Sequence, residues 1–104
     1  MTTTVIVKYS EGDVKEDSVT FHPHSAGGSR CGVKFNPEKN HRVRKLKALA
    51  AGLMEAIDEE LQSASYAGDE EGCRCFRTAM TELESAQMFA VKGLFANRNA
   101  GKAD

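Results

Sequence analysis

The spacing of apolar residues changes once along this chain, near Asn36-Pro37, and this change limits the fold to a β-rich part followed by helices. Before it, apolar residues occur in short runs rich in β-branched and aromatic side chains, which is typical of strands. After it, they recur every three or four residues, the spacing of one face of an α-helix. The sequence therefore predicts the α+β class, with a small N-terminal antiparallel β meander followed by a long antiparallel α-helical hairpin.

The β-rich part contains three strand candidates. Residues 3–9 and 18–21 carry β-branched and aromatic side chains, and turn-forming residues at 11–13 separate them. Residues 31–35 form the third candidate. The segment before it, residues 22–29, is rich in Gly, Ser and Pro, so we expect a loop whose backbone can approach a ligand closely. A meander of this size needs a helix or a partner to cover its apolar face.

Two amphipathic helices are expected in the rest of the chain. Asn36 followed by Pro37 is a strong helix start, and Asn40 offers a second N-cap one turn later. Gly68 and the acidic residues after it predict the end of one helix and the start of the next, and a short polar loop makes the pair antiparallel. The apolar positions are Val43, Leu46, Leu49, Ala50, Leu53, Met54, Ile57 and Leu61 in the first helix, and Phe76, Met80, Leu83, Gln87, Ala90 and Leu94 in the second.

The length of 104 residues allows one small hydrophobic core. We expect a single domain over residues 1–104, made of a β-rich part (1–35), the helical hairpin (36–96) and a flexible tail (97–104). No apolar run approaches the roughly 20 residues that span a bilayer, and the start of the chain has no signal-peptide character. Three cysteines without a secretory leader favour reduced thiols over disulfides. The sequence thus predicts a cytoplasmic protein.

Apolar residues near the end of the second helix exceed what one helix stripe can bury. With Leu83 at the centre of the stripe, Phe89 lies about 120° to one side and Met88 about 140° to the other. Two explanations are open. In the first, Met88 and Phe95 face the N-terminal sheet and Phe89 is half-exposed. In the second, the hairpin is buried on two sides because the protein self-associates, and we expect this homo-oligomer.

Two motifs resemble a known family. Residues 81–94, Thr-Glu-Leu-Glu-Ser-Ala-Gln-Met-Phe-Ala-Val-Lys-Gly-Leu, resemble the closing helix of the Thoeris anti-defence and anti-CBASS proteins of bacteriophages, where a Met-Trp-Ala-Val-Lys-Ala-Leu type sequence recurs. Residues 35–40, Phe-Asn-Pro-Glu-Lys-Asn, followed by Val43 and by residues 47–51, Lys-Ala-Leu-Ala-Ala, resemble the start of that family's first long helix. Together the motifs cover residues 34–95 in the right order and spacing.

The resemblance is closer to the anti-Thoeris branch than to the more purely helical anti-CBASS branch, because a β-rich part precedes the hairpin. Phe89 stands where Trp is usual, and Gly93 stands where Ala is usual. The resemblance implies a sponge, an oligomer that captures cyclic nucleotide immune signals in the infected bacterial cell without cleaving them. The implied assembly is a dimer or a hexamer. The implied ligands are the cyclic ADP-ribose isomers of Thoeris, the cyclic oligonucleotides of CBASS, or both.

A ligand of this kind presents phosphates and purine bases, so its site needs cationic donors and an aromatic or apolar face. Arg77 and Thr81 match the family's Arg-x-x-x-Thr pair, one helical turn apart, and such a pair can hold a phosphate. The alternative is a contact with a carboxylate of the same helix, such as Glu84. Lys92 matches the motif lysine, and Phe89 is the ring expected to stack on a base.

A second candidate patch lies where the β-rich part meets the first helix. The free N–H groups at a helix N-terminus favour an anion, and cationic residues cluster around this one. The alternative assigns the asparagines to helix caps, the phenylalanine to the core and the arginines to solvent. The residues of this patch are Arg30, Lys34, Phe35, Asn36, Asn40, Arg42 and Arg44.

Other functions find less support in the sequence. Cys73 and Cys75 point about 160° apart on a helix and lack the usual two-residue spacing of zinc ligands, so no metal and no cofactor is expected. No nucleophile motif, phosphate-binding loop or acid/base carboxylate pair occurs, so no enzyme is expected. The alternative function is a small helical regulator or nucleic-acid-binding protein that uses the basic cluster 42–47. Val43 and Leu46 interrupt that cluster, and no nucleic acid is expected as a partner.

Overall fold

The computed structural model of the protein describes residues 2–34, 36 and 39–102, with the side chains of all of these except residues 11, 13, 14 and 97–102. Two strands precede three helices, so the predicted α+β class is confirmed. In chain order the elements are β1 (Thr3–Glu11), β2 (Asp13–Phe21), α1 (Ala26–Arg30), α2 (His41–Ala67) and α3 (Glu70–Lys102).

The sheet is an antiparallel hairpin of β1 and β2, paired from Thr3 opposite Phe21 to Glu11 opposite Asp13. The strands reverse at Gly12, whose φ of 87° lies in the region that glycine adopts without steric cost. The third strand predicted at residues 31–35 is wrong over residues 31–34, which form turns. The backbone N–H groups there bond to the preceding helix, since Cys31 N donates to Gly27 O and Val33 N donates to Gly28 O.

Helix α1 occupies part of the segment that was predicted to be a loop. Ser25 is its N-cap and accepts a hydrogen bond from Gly28 N. The Gly27 N–H donates to Glu55 Oε1 of α2 over 2.7 Å, which attaches the short helix to the long one. A Cβ atom on Gly27 would lie 2.2 Å from the carbonyl oxygen of Ala51, so only glycine permits this approach. Gly27 therefore serves the packing of α1 against α2.

The two long helices form the predicted antiparallel hairpin. The N-cap of α2 is Asn40, the second of the two predicted caps, and the helix begins at His41. At the other end Gly68 is left-handed, with φ of 73°, and two N–H groups close the helix: Gly68 N donates to Ser65 O, and Asp69 N donates to Ala64 O. Asp69 Oδ1 then accepts a hydrogen bond from Gly72 N in the first turn of α3.

The core is centred on α2, which contacts α1, both strands and α3. Because α2 has neighbours on several sides, its buried stripe differs from the predicted one. Leu53 is 53% exposed, whereas Met54 beside it is fully buried. On α3 the predicted stripe residue Ala90 is exposed. The buried core cluster consists of Phe21, Cys31, Ala50, Ala51, Met54 and Met80.

Helix α3 continues to Lys102, beyond the predicted end of the hairpin at residue 96. The division into one domain with a flexible tail at residues 97–104 stays a prediction. None of the helices in the described part of the chain is long and apolar enough to cross a membrane.

Replacing Gly27 by alanine is expected to destabilise the protein strongly. The added methyl group would meet the backbone of Ala51, which cannot move aside as a side chain can, and forced overpacking of this kind costs about 1–3 kcal/mol or more. Urea denaturation of Gly27→Ala measures the loss. The matched control is Gly93→Ala, where the new Cβ has no neighbour within 4 Å and a gain of roughly 0.5–1 kcal/mol is expected in a helix. Equal stability of the two variants would contradict the close α1–α2 contact.

Candidate functional site

A cavity of about 620 Å³ opens where the sheet meets the start of α2, and we call it the sheet–helix cavity. The end of β2 and the turn after α1 form its apolar part, in which Phe21 is buried. Exposed cationic side chains from that turn and from the first two turns of α2 surround it. The lining residues are Thr3, Phe21, Pro23, Val33, Lys34, His41, Arg44, Lys45 and Ala48.

The chemistry of this cavity suits an anionic ligand with an apolar or aromatic body. Its volume falls within the range of about 300–1,000 Å³ that small-molecule sites occupy. Lys34, Arg44 and Lys45 carry positive charge at neutral pH and can donate charge-assisted hydrogen bonds to phosphate oxygens. The half-buried Pro23, Val33 and Ala48 offer the apolar surface against which a base can pack, and Phe21 lies buried at this wall. Lys34 and Arg44 were both in the predicted junction patch.

Asn36 and Asn40, the two asparagines of that patch, form hydrogen bonds at the start of α2. Asn36 Nδ2 donates to Asn40 O over 2.8 Å, and Asn40 N donates to Asn36 Oδ1 over 3.0 Å. Asn40 Oδ1 also accepts from Arg42 N at 2.8 Å and from Val43 N at 3.3 Å. The geometry therefore gives both residues a capping role, and a role in ligand binding stays a prediction. Phe35, the aromatic member of the patch, lies outside the described residues.

A second cavity, of about 400 Å³, lies between the end of α1 and the later part of α3, and we call it the α1–α3 cavity. It brings together Arg30 and Lys92, which the sequence had assigned to different patches. The Arg30 guanidinium donates its Nε–H to Glu84 Oε1 over 3.2 Å, so this ion pair fixes α1 to α3. The cavity is lined by Ser29, Arg30, Cys31, Gly32, Lys47, Gln87, Met88, Val91 and Lys92.

Two buried polar residues of the α1–α3 cavity escaped the sequence analysis. Lys47 was counted in the basic cluster, but its side chain is buried and its Nζ donates to Gly32 O over 3.0 Å. Burial lowers the pKa of Lys47, an effect that the nearby Cys31 thiol opposes, and burial raises the pKa of Cys31 itself. Gln87 was counted in the apolar stripe of α3. A polar residue seven positions after buried Met80 is the signal that could have identified it.

Gln87 is 6% exposed, and its buried Oε1 accepts no hydrogen bond within the described part of the chain. Buried polar atoms in native proteins nearly always have a partner, and leaving one without costs about 1–3 kcal/mol. Among the described residues that line the α1–α3 cavity, Gln87 therefore has a buried amide oxygen without a hydrogen-bond donor.

Arg77 and Thr81 lie on the exposed surface of α3. The Thr81 hydroxyl donates to the carbonyl oxygen of Arg77 over 3.1 Å, a bond within the helix. Arg77 borders a cavity of about 320 Å³ that Asp69 and Glu70 also line, and these carboxylates oppose the binding of a phosphate. The predicted alternative partner Glu84 pairs with Arg30. A ligand-binding role for Arg77 and Thr81 stays a prediction.

Met88 and Phe89 are 62% and 66% exposed. Met88 borders the α1–α3 cavity, so the first explanation, in which the sheet covers this side chain, does not describe the fold. The Lys92 Nζ lies 5.9 Å from the centroid of the Phe89 ring, and both residues line a small cavity of about 230 Å³ with Ser85 and Met88. A cation beside an exposed ring is a suitable arrangement for a phosphorylated base.

Metal binding finds no site in the described residues, since no three His, Cys, Asp or Glu side chains come together there. Cys31 and Cys73 are buried and Cys75 is exposed, all as free thiols. The cavities are instead lined by cationic, apolar and amide groups, which are suited to holding a small anionic molecule.

Fold and cavities thus define a helical hairpin with an N-terminal β-hairpin and with cavities of a size suited to small molecules. Residues 29–95 match the family model described as Acb2/Tad1, hairpin domain, a segment that runs from the end of α1 through α2 and most of α3. The chain belongs to this anti-CBASS and anti-Thoeris sponge family, as the sequence motifs indicated. It is a family of binding proteins and not a known enzyme family. No curated protein and no solved structure matches the chain significantly.

Asn36→Ala and Asn40→Ala should each destabilise the protein by about 1 kcal/mol, the usual cost of losing a helix cap. The Asn36 side chain holds the backbone of Asn40, and this backbone positions the Asn40 side chain as the cap, so the double variant should lose less than the sum of the single losses. Urea denaturation of the three variants measures this difference. Strictly additive losses would show that the two residues stabilise the helix start independently.

Proposed function

We propose that this protein is a bacteriophage anti-defence sponge, which binds cyclic nucleotide immune signals in the cytoplasm of the infected bacterium and sequesters them without cleaving them. The observation that carries the proposal is the sheet–helix cavity, with its apolar interior and its exposed Lys34, Arg44 and Lys45. Membership of the Acb2/Tad1 hairpin-domain family supports it independently.

Capture without turnover is consistent with the groups around this cavity. Among its described lining residues none carries a carboxylate or a thiol, and the general-base type that is present there is the imidazole of His41. Cations that hold phosphates at a fixed place, beside an apolar surface that excludes water, favour retention of the intact molecule. A sponge needs tight binding and slow release, and both increase with the number of such contacts.

The ligand that we favour is a cyclic ADP-ribose isomer. Its two phosphates suit the cations of the sheet–helix cavity, and its adenine suits the apolar part around Phe21 and Val33. The β-hairpin before the helices agrees with the anti-Thoeris branch of the resemblance. Cyclic oligonucleotides of CBASS are the second ligand class, for which Arg77 and Thr81 remain the predicted phosphate-binding pair.

Arg44→Ala should weaken the binding of a cyclic ADP-ribose isomer by roughly 10- to 100-fold. The variant loses one charge-assisted hydrogen bond and leaves a phosphate oxygen of the bound ligand without its donor. Isothermal titration measures the affinity, and recovery of the unchanged ligand from heated protein tests sequestration. The matched control is Arg42→Ala, because Arg42 is exposed on the same helix and does not line the cavity. Equal losses in both variants would contradict binding in this cavity, and recovery of a hydrolysed ligand would contradict the sponge.

The alternative, a nucleic-acid-binding regulator, needs the basic cluster 42–47 as one exposed surface. Lys47 is buried, and Arg44 and Lys45 border the sheet–helix cavity, so the cluster does not form a single stripe. Binding to nucleic acid would weaken steeply as the salt concentration rises, whereas binding of a small ligand in a partly apolar cavity would weaken much less. A salt series with the cyclic ligand and with a DNA duplex separates the two functions.

We also propose that the protein acts as a homo-oligomer, a dimer or a hexamer. Both long helices carry large apolar side chains that are exposed, at Leu49 and Leu53 on α2 and at Phe89 on α3. Apolar surface of this kind is typical of an interface between copies.

Light scattering at micromolar concentration is expected to show an assembly larger than a monomer. Leu53→Glu and Phe89→Glu should dissociate it or leave it poorly soluble, because a carboxylate without a partner is costly in a buried interface. The matched control is Tyr66→Glu: this side chain is 97% exposed and points to a different side of α2, so the assembly should persist. A monomeric wild-type protein would refute the homo-oligomer.

A further inference from the structure

We propose that the outer edge of β1 is an interface between two copies of this chain. In this interface two β1 strands pair antiparallel, so that the two β-hairpins form one sheet of four strands. The two-fold axis passes through Val7, the midpoint of the nine-residue strand. This surface is separate from the exposed apolar residues of α2 and α3 on which the proposed homo-oligomer rests, and the inference does not depend on the ligand of the sponge.

The outer edge of β1 is open to another strand. The sheet has two strands, and among the described residues the backbone of β1 pairs with β2 alone. Except for half-buried Val5, every described side chain of β1 is exposed, so no helix covers the strand. The N–H and C=O groups of alternate residues point to the outer edge of a strand, where they can pair with a further strand. A sheet of two strands is marginal in water, and pairing would make it more stable.

The charges on the two strands favour β1 as the edge that pairs. Charged side chains protect an exposed edge from pairing. Lys15, Glu16 and Asp17 follow one another in β2, and pairing of this strand with its copy about its midpoint would place Asp17 opposite Asp17. Like charges directly opposite destabilise a strand pair. Residues 3–10 of β1 include one charged side chain, Lys8, whose Nζ already lies 3.9 Å from Glu16 Oε2 of the same hairpin.

The sequence of β1 is complementary to itself about Val7. A two-fold axis at this midpoint pairs all nine residues of the strand. Val7 then meets its own copy, and Val5 lies opposite Tyr9, an aromatic and β-branched pair of the kind that stabilises a sheet. Lys8 lies opposite Ile6, so no like charges face each other. A register centred on Lys8 would instead place two ammonium groups opposite each other.

Pairing at this edge would also cover apolar side chains that one chain leaves in solvent. Val7 and Tyr9 are 50% and 41% exposed. They lie on the same face of the strand as Val5, which packs against the buried core. The second copy therefore extends the apolar face of the sheet beyond the part that α2 covers. Main-chain hydrogen bonds and side-chain burial together are what hold an added strand at a sheet edge.

Val7→Lys tests the interface and leaves the β-hairpin intact. Val7 pairs with Asp17 within the sheet, so the new side chain gains an opposite charge in its own chain but meets a like charge across the two-fold axis. Association through β1 should weaken roughly tenfold or more, measured by sedimentation velocity over a concentration series. The matched control is Ser18→Lys, which adds the same charge at an exposed position of β2 and should leave the association unchanged.

Leu53→Glu separates this interface from the one proposed on the long helices. A larger assembly should dissociate in Leu53→Glu to dimers that β1 holds together, and adding Val7→Lys should convert these dimers to monomers. Monomers in Leu53→Glu alone would refute pairing at β1 and leave the helices as the interface. Dimers that persist in the double variant would also refute pairing at β1, and neither result bears on ligand binding by the sponge.

Cross-linking tests the register without the Leu53 variant. In a Cys75→Ser background, which removes the exposed native thiol, Val7→Cys places two thiols at the two-fold axis, where opposite Cβ atoms of a strand pair lie about 4.5–5.5 Å apart. Treatment with diamide should give covalent dimers on a denaturing gel. The matched control is Ser10→Cys, whose two copies lie at opposite ends of the interface and should not cross-link. No cross-link in Val7→Cys, or equal cross-linking at both positions, would refute a second copy as the partner of this edge.

Discussion

The approach of Gly27 to the backbone of Ala51 is the contact on which the rest of the structure depends. A side chain at Gly27 would collide with the Ala51 carbonyl oxygen, and the Gly27 N–H is bonded to Glu55 of the same long helix. This contact fixes α1 across α2 and so determines the path of residues 31–34. Both named cavities are lined by residues in or beside that segment. Val33 and Lys34 line the sheet–helix cavity, and residues 30–32 line the α1–α3 cavity.

The same crowding explains which face of α2 is buried. Ala50, Ala51 and Gly52 are small and buried, and a Cβ atom on Gly52 would lie 3.0 Å from Val5 Cγ2 of the sheet. Small residues let α1 and the β-hairpin approach α2 closely, and the larger Leu49 and Leu53 then point away from them into solvent. The exposed apolar surface on which the proposed homo-oligomer rests is thus a consequence of dense packing on other faces of α2.

The first two turns of α2 distribute their positive charges to three different environments. Arg42 lies in solvent, Arg44 and Lys45 border the sheet–helix cavity, and Lys47 points inward to the carbonyl oxygen of Gly32. A buried ammonium is costly unless it is bonded, so the contact between Lys47 and residue 32 also holds the turn after α1 in place. A run of basic residues that looks uniform in the sequence therefore supplies two cations beside the sheet–helix cavity, one structural hydrogen bond and one solvated side chain.

The sequence by itself determined the features that depend on neighbouring residues. The left-handed end at Gly68, the first two strands and the antiparallel helical hairpin follow from local turn and periodicity rules, and two short motifs identified the family. For the start of the first long helix the sequence offered two caps, and the structure selects Asn40 over Asn36. The tertiary structure decided which neighbour each face meets. Residues 31–34 form turns instead of a strand because their N–H groups bond to α1. Arg30 and Lys92 line one cavity because a glycine contact positions α1. Periodicity defines a face of a helix, but the partner that covers it, and hence the fate of Leu53, Lys47 and Gln87, depends on contacts between residues far apart in the chain.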